Sequence, residues 1–259
     1  MTGADSGYDG PGSEWLGTEP KWATARGLAA AVWSTAQARY AGAALQHVEQ
    51  ALRLAAELHR AKVRPDGSPY LQHVLSVAQR TLRWLPEASC DVAVAALLHD
   101  TVEDESKVLA IRARSSAGTE RERALQAIDE TFGGRVAELV GQLTNPNFEA
   151  QVQAQGLDPK SSPGTLAQHK LYAEHFEQLL QSNDHATLIK VADFSDNALR
   201  LDGIIDRVLH AKLTGKYRAC VALLREHTRA AEPASMLFGI RSELLNEIET
   251  AWARDYAQP

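Results

Sequence analysis

Apolar side chains recur at three- and four-residue spacing from Pro20 almost to the C-terminus, and no stretch sustains the every-other-residue alternation of a half-buried strand. That periodicity confines the chain to helices packed on helices. Composition agrees with it: alanine (42) and leucine (31) fill 73 of the 259 positions, against 27 for glycine and proline together. Ala and Leu lose little rotamer freedom in a helix, so the expectation is an all-α fold, one helical domain over residues 20–259. Residues 1–19 hold five of the seventeen glycines and few apolar groups, and they read as a flexible tail.

Punctuation divides the rest. Residues 43–62 form one helical stretch, ended by the turn Arg64-Pro65-Asp66-Gly67. Ser68-Pro69 offers a cap with proline at the first helical position of a helix over 69–85, which stops before Pro86. The stretch from Cys90 to about Thr101 is apolar all round and therefore central. Residues 105–118 give no clear pattern, with Ser115-Ser116-Ala117-Gly118 reading as a loop. Helices are expected at 119–131 and 134–143, then a long polar connection through Asn145-Pro146-Asn147 and 158–164. Three more follow at about 165–182, 185–201 and 204–230, and Pro233 opens a terminal helix.

Net charge is −6, which excludes a basic nucleic-acid scaffold and a polybasic membrane binder. No apolar run approaches the roughly 18–20 residues that cross a bilayer. The N-terminus lacks the basic start and apolar core of a signal peptide, and Cys90 and Cys220 sit in apolar helical surroundings as reduced thiols; a cytoplasmic protein is expected. No phosphate-cradling glycine loop with lysine is present, nor a Gly-x-Ser-x-Gly elbow, and the five tryptophans are too scattered to form a base-stacking platform.

His99-Asp100 stand out because they end the most apolar helix of the chain, directly after Ala95-Ala96-Leu97-Leu98. A carboxylate there needs a partner, and a cation is the obvious one. Glu103 and Asp104 follow at i+4, and if the helix continues, all four groups share adjacent faces of one turn. His73 lies just inside the N-terminus of an earlier helix, and Asp193 lies on the apolar stretch Leu188–Ala192. Two imidazoles and two carboxylates suit Mn²⁺, Fe²⁺ or Zn²⁺.

The blocks Gly67-Ser-Pro-Tyr-Leu-Gln-His73, Ala95-Ala-Leu-Leu-His-Asp-Thr-Val-Glu-Asp104 and Lys190-Val-Ala-Asp-Phe-Ser-Asp-Asn197 together resemble the HD-domain hydrolases of the RelA/SpoT type, over roughly residues 45–205. Stand-alone members of that group are small alarmone hydrolases. The resemblance implies a helical HD-domain bundle with extra N- and C-terminal helices. It implies one Mn²⁺ on His73, His99, Asp100 and Asp193, with Glu103 and Asp104 as the catalytic pair acting on a metal-activated water. Arg64 and Asn197 match positions that meet the nucleotide in the family, and Lys190 is a further basic group for that role. The implied reaction removes the 3′-pyrophosphate of ppGpp or pppGpp, giving GDP or GTP and pyrophosphate.

Some positions depart from the pattern. Pro65 stands where the family commonly carries lysine, and Ala198-Leu199-Arg200 places arginine one position late. Those departures keep open another nucleotide, of ppApp type or a deoxynucleotide. A regulatory, antitoxin-like partner of an alarmone synthetase is the third reading, for which the helices after 204 leave room. The expected partner is a small-molecule nucleotide, without nucleic acid or membrane, and a protein partner or homo-oligomer is compatible with the pattern. His59 reads as pocket-lining or as packing, Asp196 as solvent-facing, and the remaining histidines as packed or solvated side chains.

Overall fold

The computed structural model describes residues 8–182 and 184–257. Among these are twelve α-helices and no strand; an isolated antiparallel bridge joins Val63 to Pro69. The all-α expectation is met. The domain drawn over 20–259 divides into two compact units, one ending at Thr144 and the other beginning at Asn145.

The first unit holds α1 (Ala23–Arg39), α2 (Gly42–His59), α3 (Tyr70–Trp84), α4 (Cys90–Leu98), α5 (Thr101–Ala110), α6 (Glu120–Phe132) and α7 (Gly134–Leu143). Helix α4 is its centre, because Val92 through Leu98 are all buried and no face is left for water. It packs against α2, α3 and α7, while α1 covers α3 and α5 lies along α6. α4 ends at Leu98, three residues before the expected boundary. His99 and Asp100 form a turn, in which Thr101 Oγ1 donates to Leu98 O at 2.7 Å and the Asp104 N–H donates to Asp100 O at 2.9 Å. The residues after 104, which gave no pattern, are helical to Ala110, with a kink at Glu105 (φ −132°, ψ 28°).

Two other expectations need correcting here. Ser68 does not cap α3: its hydroxyl donates to Asp66 Oδ1 at 2.6 Å, and Pro69 itself holds the cap position. Of the segment read as a flexible tail, residues 1–7 lie outside the described residues, whereas the chain from Tyr8 onward is packed. Gly12 (φ +81°) lets the backbone lie on α2, since a Cβ there would sit 3.0 Å from Ala56 Cβ. Glu14 pairs with Arg53 at 2.7 Å, and the Arg60 guanidinium stacks 4.8 Å from the Trp15 ring centre. Those contacts involve charged residues that apolar periodicity does not register.

The second unit holds α8 (Phe148–Ala154), α9 (Ser162–Ser182), α10 (His185–Ala198), α11 (Arg207–Arg229) and α12 (Arg241–Ala251). Helix α8 sits in the stretch read as a connection, started by Asn147 Oδ1 accepting from the Ala150 N–H at 2.9 Å and anchored by buried Val152. The terminal helix starts at Arg241, because successive turns from Glu232 to Phe238 use the backbone groups after Pro233. Phe176, Phe194 and Tyr217 pack α9, α10 and α11 together, with ring centres 4.5 and 5.6 Å apart.

The register of α10 is set at its start. Asp184 Oδ1 accepts from the Ala186 N–H at 2.8 Å, Thr187 Oγ1 accepts from the Asp184 N–H at 3.1 Å, and the Thr187 hydroxyl donates to Leu179 O at 2.7 Å. This capping box holds the helix on which Asp193 is carried. An Asp184→Ala variant is expected to lower the stability of this unit by about 1 kcal/mol. The shift appears in a urea midpoint at constant m-value, and an unchanged midpoint would contradict the role given to the cap. Cys90 and Cys220 are free thiols. Among the described residues no helix is long and apolar enough to cross a membrane.

Candidate metal centre

In the first unit the ends of α3 and α4 bring three ligating atoms together. His73 stands one turn into α3, and His99 and Asp100 form the turn that follows α4. His73 Nε2 and His99 Nε2 are 3.3 Å apart, and Asp100 Oδ2 lies 3.4 Å from the first and 3.1 Å from the second. His99 Nδ1 is 2.9 Å from the Ala96 carbonyl, which can only accept, so Nδ1 carries a proton and Nε2 is the ring atom left to meet a metal. Burial opposes ionisation of Asp100. The charge of His99 and hydrogen bonds from His73 and His99 outweigh it and hold the carboxyl well below the usual range.

This donor set fits a small divalent ion. Donors about 2.1 Å from a metal stand roughly 3.0 Å apart at octahedral angles and roughly 3.4 Å apart at the tetrahedral angle, which is the spacing found here. Two imidazole nitrogens and one carboxylate select a borderline ion over Ca²⁺ or a thiolate-bound metal. A second observation agrees. His59 is fully buried, and neither ring nitrogen has a hydrogen-bond partner among the described residues. Its ring lies tilted against Tyr70 at 5.1 Å, and burial pushes its pKa down to about 3, so the imidazole is neutral. Polar atoms orphaned beside such a cluster point to a guest that brings its own oxygens.

Tyr70 is the functional neighbour that residue patterns missed. Its hydroxyl donates to Asp100 Oδ2 at 2.6 Å, orienting the carboxylate. The available signal was its place three residues before His73, one turn away on the same face of α3.

Glu103 and Asp104 emerge on the exposed side of α5. The Lys62 ammonium lies 3.3 Å from Asp104 Oδ2 and 2.8 Å from Glu105 Oε1. Burial raises the Asp104 pKa, the Asp100 charge adds to this, and Lys62 opposes it. Arg64 is half-buried in a turn closed by its own N–H on Ser68 O (2.8 Å) and by the Gly67 N–H on Arg64 O (2.9 Å). The turn read from Arg64-Pro65-Asp66-Gly67 is therefore formed, with Gly67 at φ +84°.

In the second unit Asp193 is buried on α10. Asn197 Nδ2 donates to Asp193 Oδ1 at 2.6 Å, and the Lys190 ammonium donates to Oδ2 at 3.0 Å. Lys190, expected at the nucleotide, is only 4% exposed and faces Asp193, one helical turn away. Its long side chain buries against α9, with the ammonium 5.9 Å from the Tyr172 ring centre. Asp196, read as solvent-facing, is 8% exposed and lies 3.7 Å from the Arg200 guanidinium.

Comparison with known proteins adds an independent line. The sequence model of the HD domain matches residues 51–202, more than half of the chain. The chain is 31% identical over 163 residues to a Myxococcus xanthus protein named GTP pyrophosphokinase, covering 61% of this chain and 17% of that one. It is 32% identical over 121 residues to mouse MESH1, named guanosine-3′,5′-bis(diphosphate) 3′-pyrophosphohydrolase, covering 44% of this chain and 59% of that one. A protein of the same description from Aquifex aeolicus is 34% identical over 101 residues, 38% of this chain and 12% of that one. The chain thus spans less than two thirds of the length of each of these relatives.

Proposed function

Because this chain belongs to the HD-domain family, we propose that it is a metal-dependent phosphohydrolase that removes the 3′-diphosphate of guanosine alarmones, ppGpp and pppGpp. The observation that carries the reading is the cluster of His73 Nε2, His99 Nε2 and Asp100 Oδ2 at mutual distances of 3.1–3.4 Å, with an ionised Asp100. The names carried by the mouse and Aquifex relatives support the substrate class.

By the family resemblance, His73, His99, Asp100 and Asp193 would hold one divalent ion, Mn²⁺; His73, His99 and Asp193 are each buried. Bound there, the ion supplies Lewis acidity, lowering the pKa of a water and neutralising charge that develops on the phosphoryl group. Tyr70 and the Ala96 carbonyl orient Asp100 and His99 for that task. Lys190 and Asn197 do the same for Asp193, each taking one carboxylate oxygen.

Glu103 and Asp104 accept the proton of the attacking water. Oxygen joins the phosphorus next to O3′, the O3′–P bond breaks, and a proton is returned to O3′, so GDP or GTP and pyrophosphate leave. Arg64 neutralises the phosphates, a job the overall acidity of the chain assigns to local cations. Pro65 offers neither a long cation nor a backbone donor, so discrimination between guanine and adenine is weaker here than in relatives that carry lysine.

The test is a side-by-side assay of ppGpp, pppGpp, ppApp, GTP and dAMP with Mn²⁺, with product chromatography and an EDTA control. Pyrophosphate release from the 3′-substituted nucleotides alone, lost with EDTA and restored by Mn²⁺, is the expected outcome. Cleavage of dAMP with none of the 3′-diphosphates would assign the site to a nucleotidase. No turnover of any nucleotide would favour a regulatory partner of an alarmone synthetase.

A further inference from the structure

Lys62 belongs to no part of the metal cluster, yet its side chain ties that cluster to the proposed catalytic pair. Its backbone is fixed at both ends: its N–H donates to His59 O at 3.1 Å, and its carbonyl accepts from the Tyr70 N–H at 2.9 Å. These bonds lock it between the end of α2 and the start of α3. From there the side chain crosses the Tyr70 ring, with the ammonium 5.9 Å from the ring centre. It then meets three acceptors on α5, Asp104 Oδ2 at 3.3 Å, Glu105 Oε1 at 2.8 Å and Asp104 O at 3.4 Å.

Those acceptors flank the kink in α5. Glu105 departs from helical geometry there, so the orientation of Asp104 is not dictated by the helix alone. An ammonium has three donors, and here each has an acceptor on the kinked segment. An exposed lysine pair contributes little, because flexible side chains lose entropy on pairing. Lys62 differs in being 31% exposed, anchored through its backbone and bonded to three atoms at once.

We propose that Lys62 is a positioning residue, whose ammonium clasps the break in α5 and fixes the Asp104 carboxylate through Oδ2, leaving Oδ1 for the reacting water. The inference rests on the reading of Asp104 as a proton acceptor. It differs from a phosphate contact, the usual expectation for a cation near such a site, because both carboxylates of the kink already take the ammonium.

Lys62→Met keeps the stem and removes the charge. Amides of residues 104–109 are expected to exchange faster with deuterium in this variant. On the alarmone substrate kcat is expected to fall about ten- to a hundredfold, with KM within about twofold of wild type. Lys62→Arg restores most of kcat, and Glu105→Gln, which weakens one arm of the clasp, gives a smaller change of the same sign. A rise in KM with unchanged kcat and exchange would make Lys62 a substrate contact and overturn the proposal, as would wild-type behaviour on all counts. If the unmodified protein turns over no nucleotide, the proposed function fails, and the exchange data still decide the clasp: unchanged exchange removes it.

Discussion

Purified without chelator, a His99→Ala, Asp193→Ala double variant is expected to carry less than about a tenth of the metal found in the unmodified protein and to show no measurable hydrolysis. The proposed set has four ligands, two of them imidazole nitrogens. Losing one oriented outer partner of a metal site already costs about ten- to a hundredfold in affinity, and losing two direct ligands costs more. His99 is buried, and its removal leaves the Ala96 carbonyl without the ring N–H that satisfies it at 2.9 Å, a further cost of about 1–3 kcal/mol to stability. A His99→Gln, Asp193→Asn pair, closer in volume, therefore accompanies the alanine variant. Elemental analysis beside a thermal melt reads the outcome. Stoichiometric metal in folded double variants would remove these residues from the site.

The second large effect concerns chemistry without binding. Glu103→Gln and Asp104→Asn are expected to keep the metal and the fold while lowering kcat by about 10²–10⁴-fold, the usual worth of a positioned proton acceptor. Glu103 and Asp104 lie at the start of α5 on its outer side, with the Asp104 side chain 28% exposed, so these near-isosteric replacements leave the packing of the unit intact. Removing one charge also lessens repulsion in a segment that holds Asp100, Glu103, Asp104 and Glu105 within six positions, and folding stability is expected to hold. If both variants hydrolyse substrate at the unmodified rate, the proton passes through another group.

What the sequence makes legible is what depends on local pattern. The span 134–143 reads as α7 because an apolar stripe follows Gly133-Gly134, and α4 reads as central because it has no polar face. His73, His99, Asp100 and Asp193 stand out as polar groups on otherwise apolar helices, and the structure finds His73, His99 and Asp193 buried. What escapes is set by pairings between distant positions. Lys62 and Asp104 are 42 positions apart, and no periodicity couples them. Lys190 reads as a free cation until Asp193 is seen to take its ammonium. The turn at His99-Asp100 hides in the run Leu98–Thr101 because no glycine or proline marks it, and side-chain and backbone bonds to Leu98 and Asp100 stabilise it instead. The short helix α8 was masked by polar neighbours; its signal was Asn147 as a cap ahead of Val152.

The most direct measurement of the central claim follows the oxygen of water. Hydrolysis of ppGpp in H₂¹⁸O with Mn²⁺, analysed by mass spectrometry, is expected to place one label in pyrophosphate and none in GDP, because the attacked atom is the phosphorus of the 3′-diphosphate. Label in the nucleoside diphosphate, release of orthophosphate in place of pyrophosphate, or no turnover at all would contradict the account.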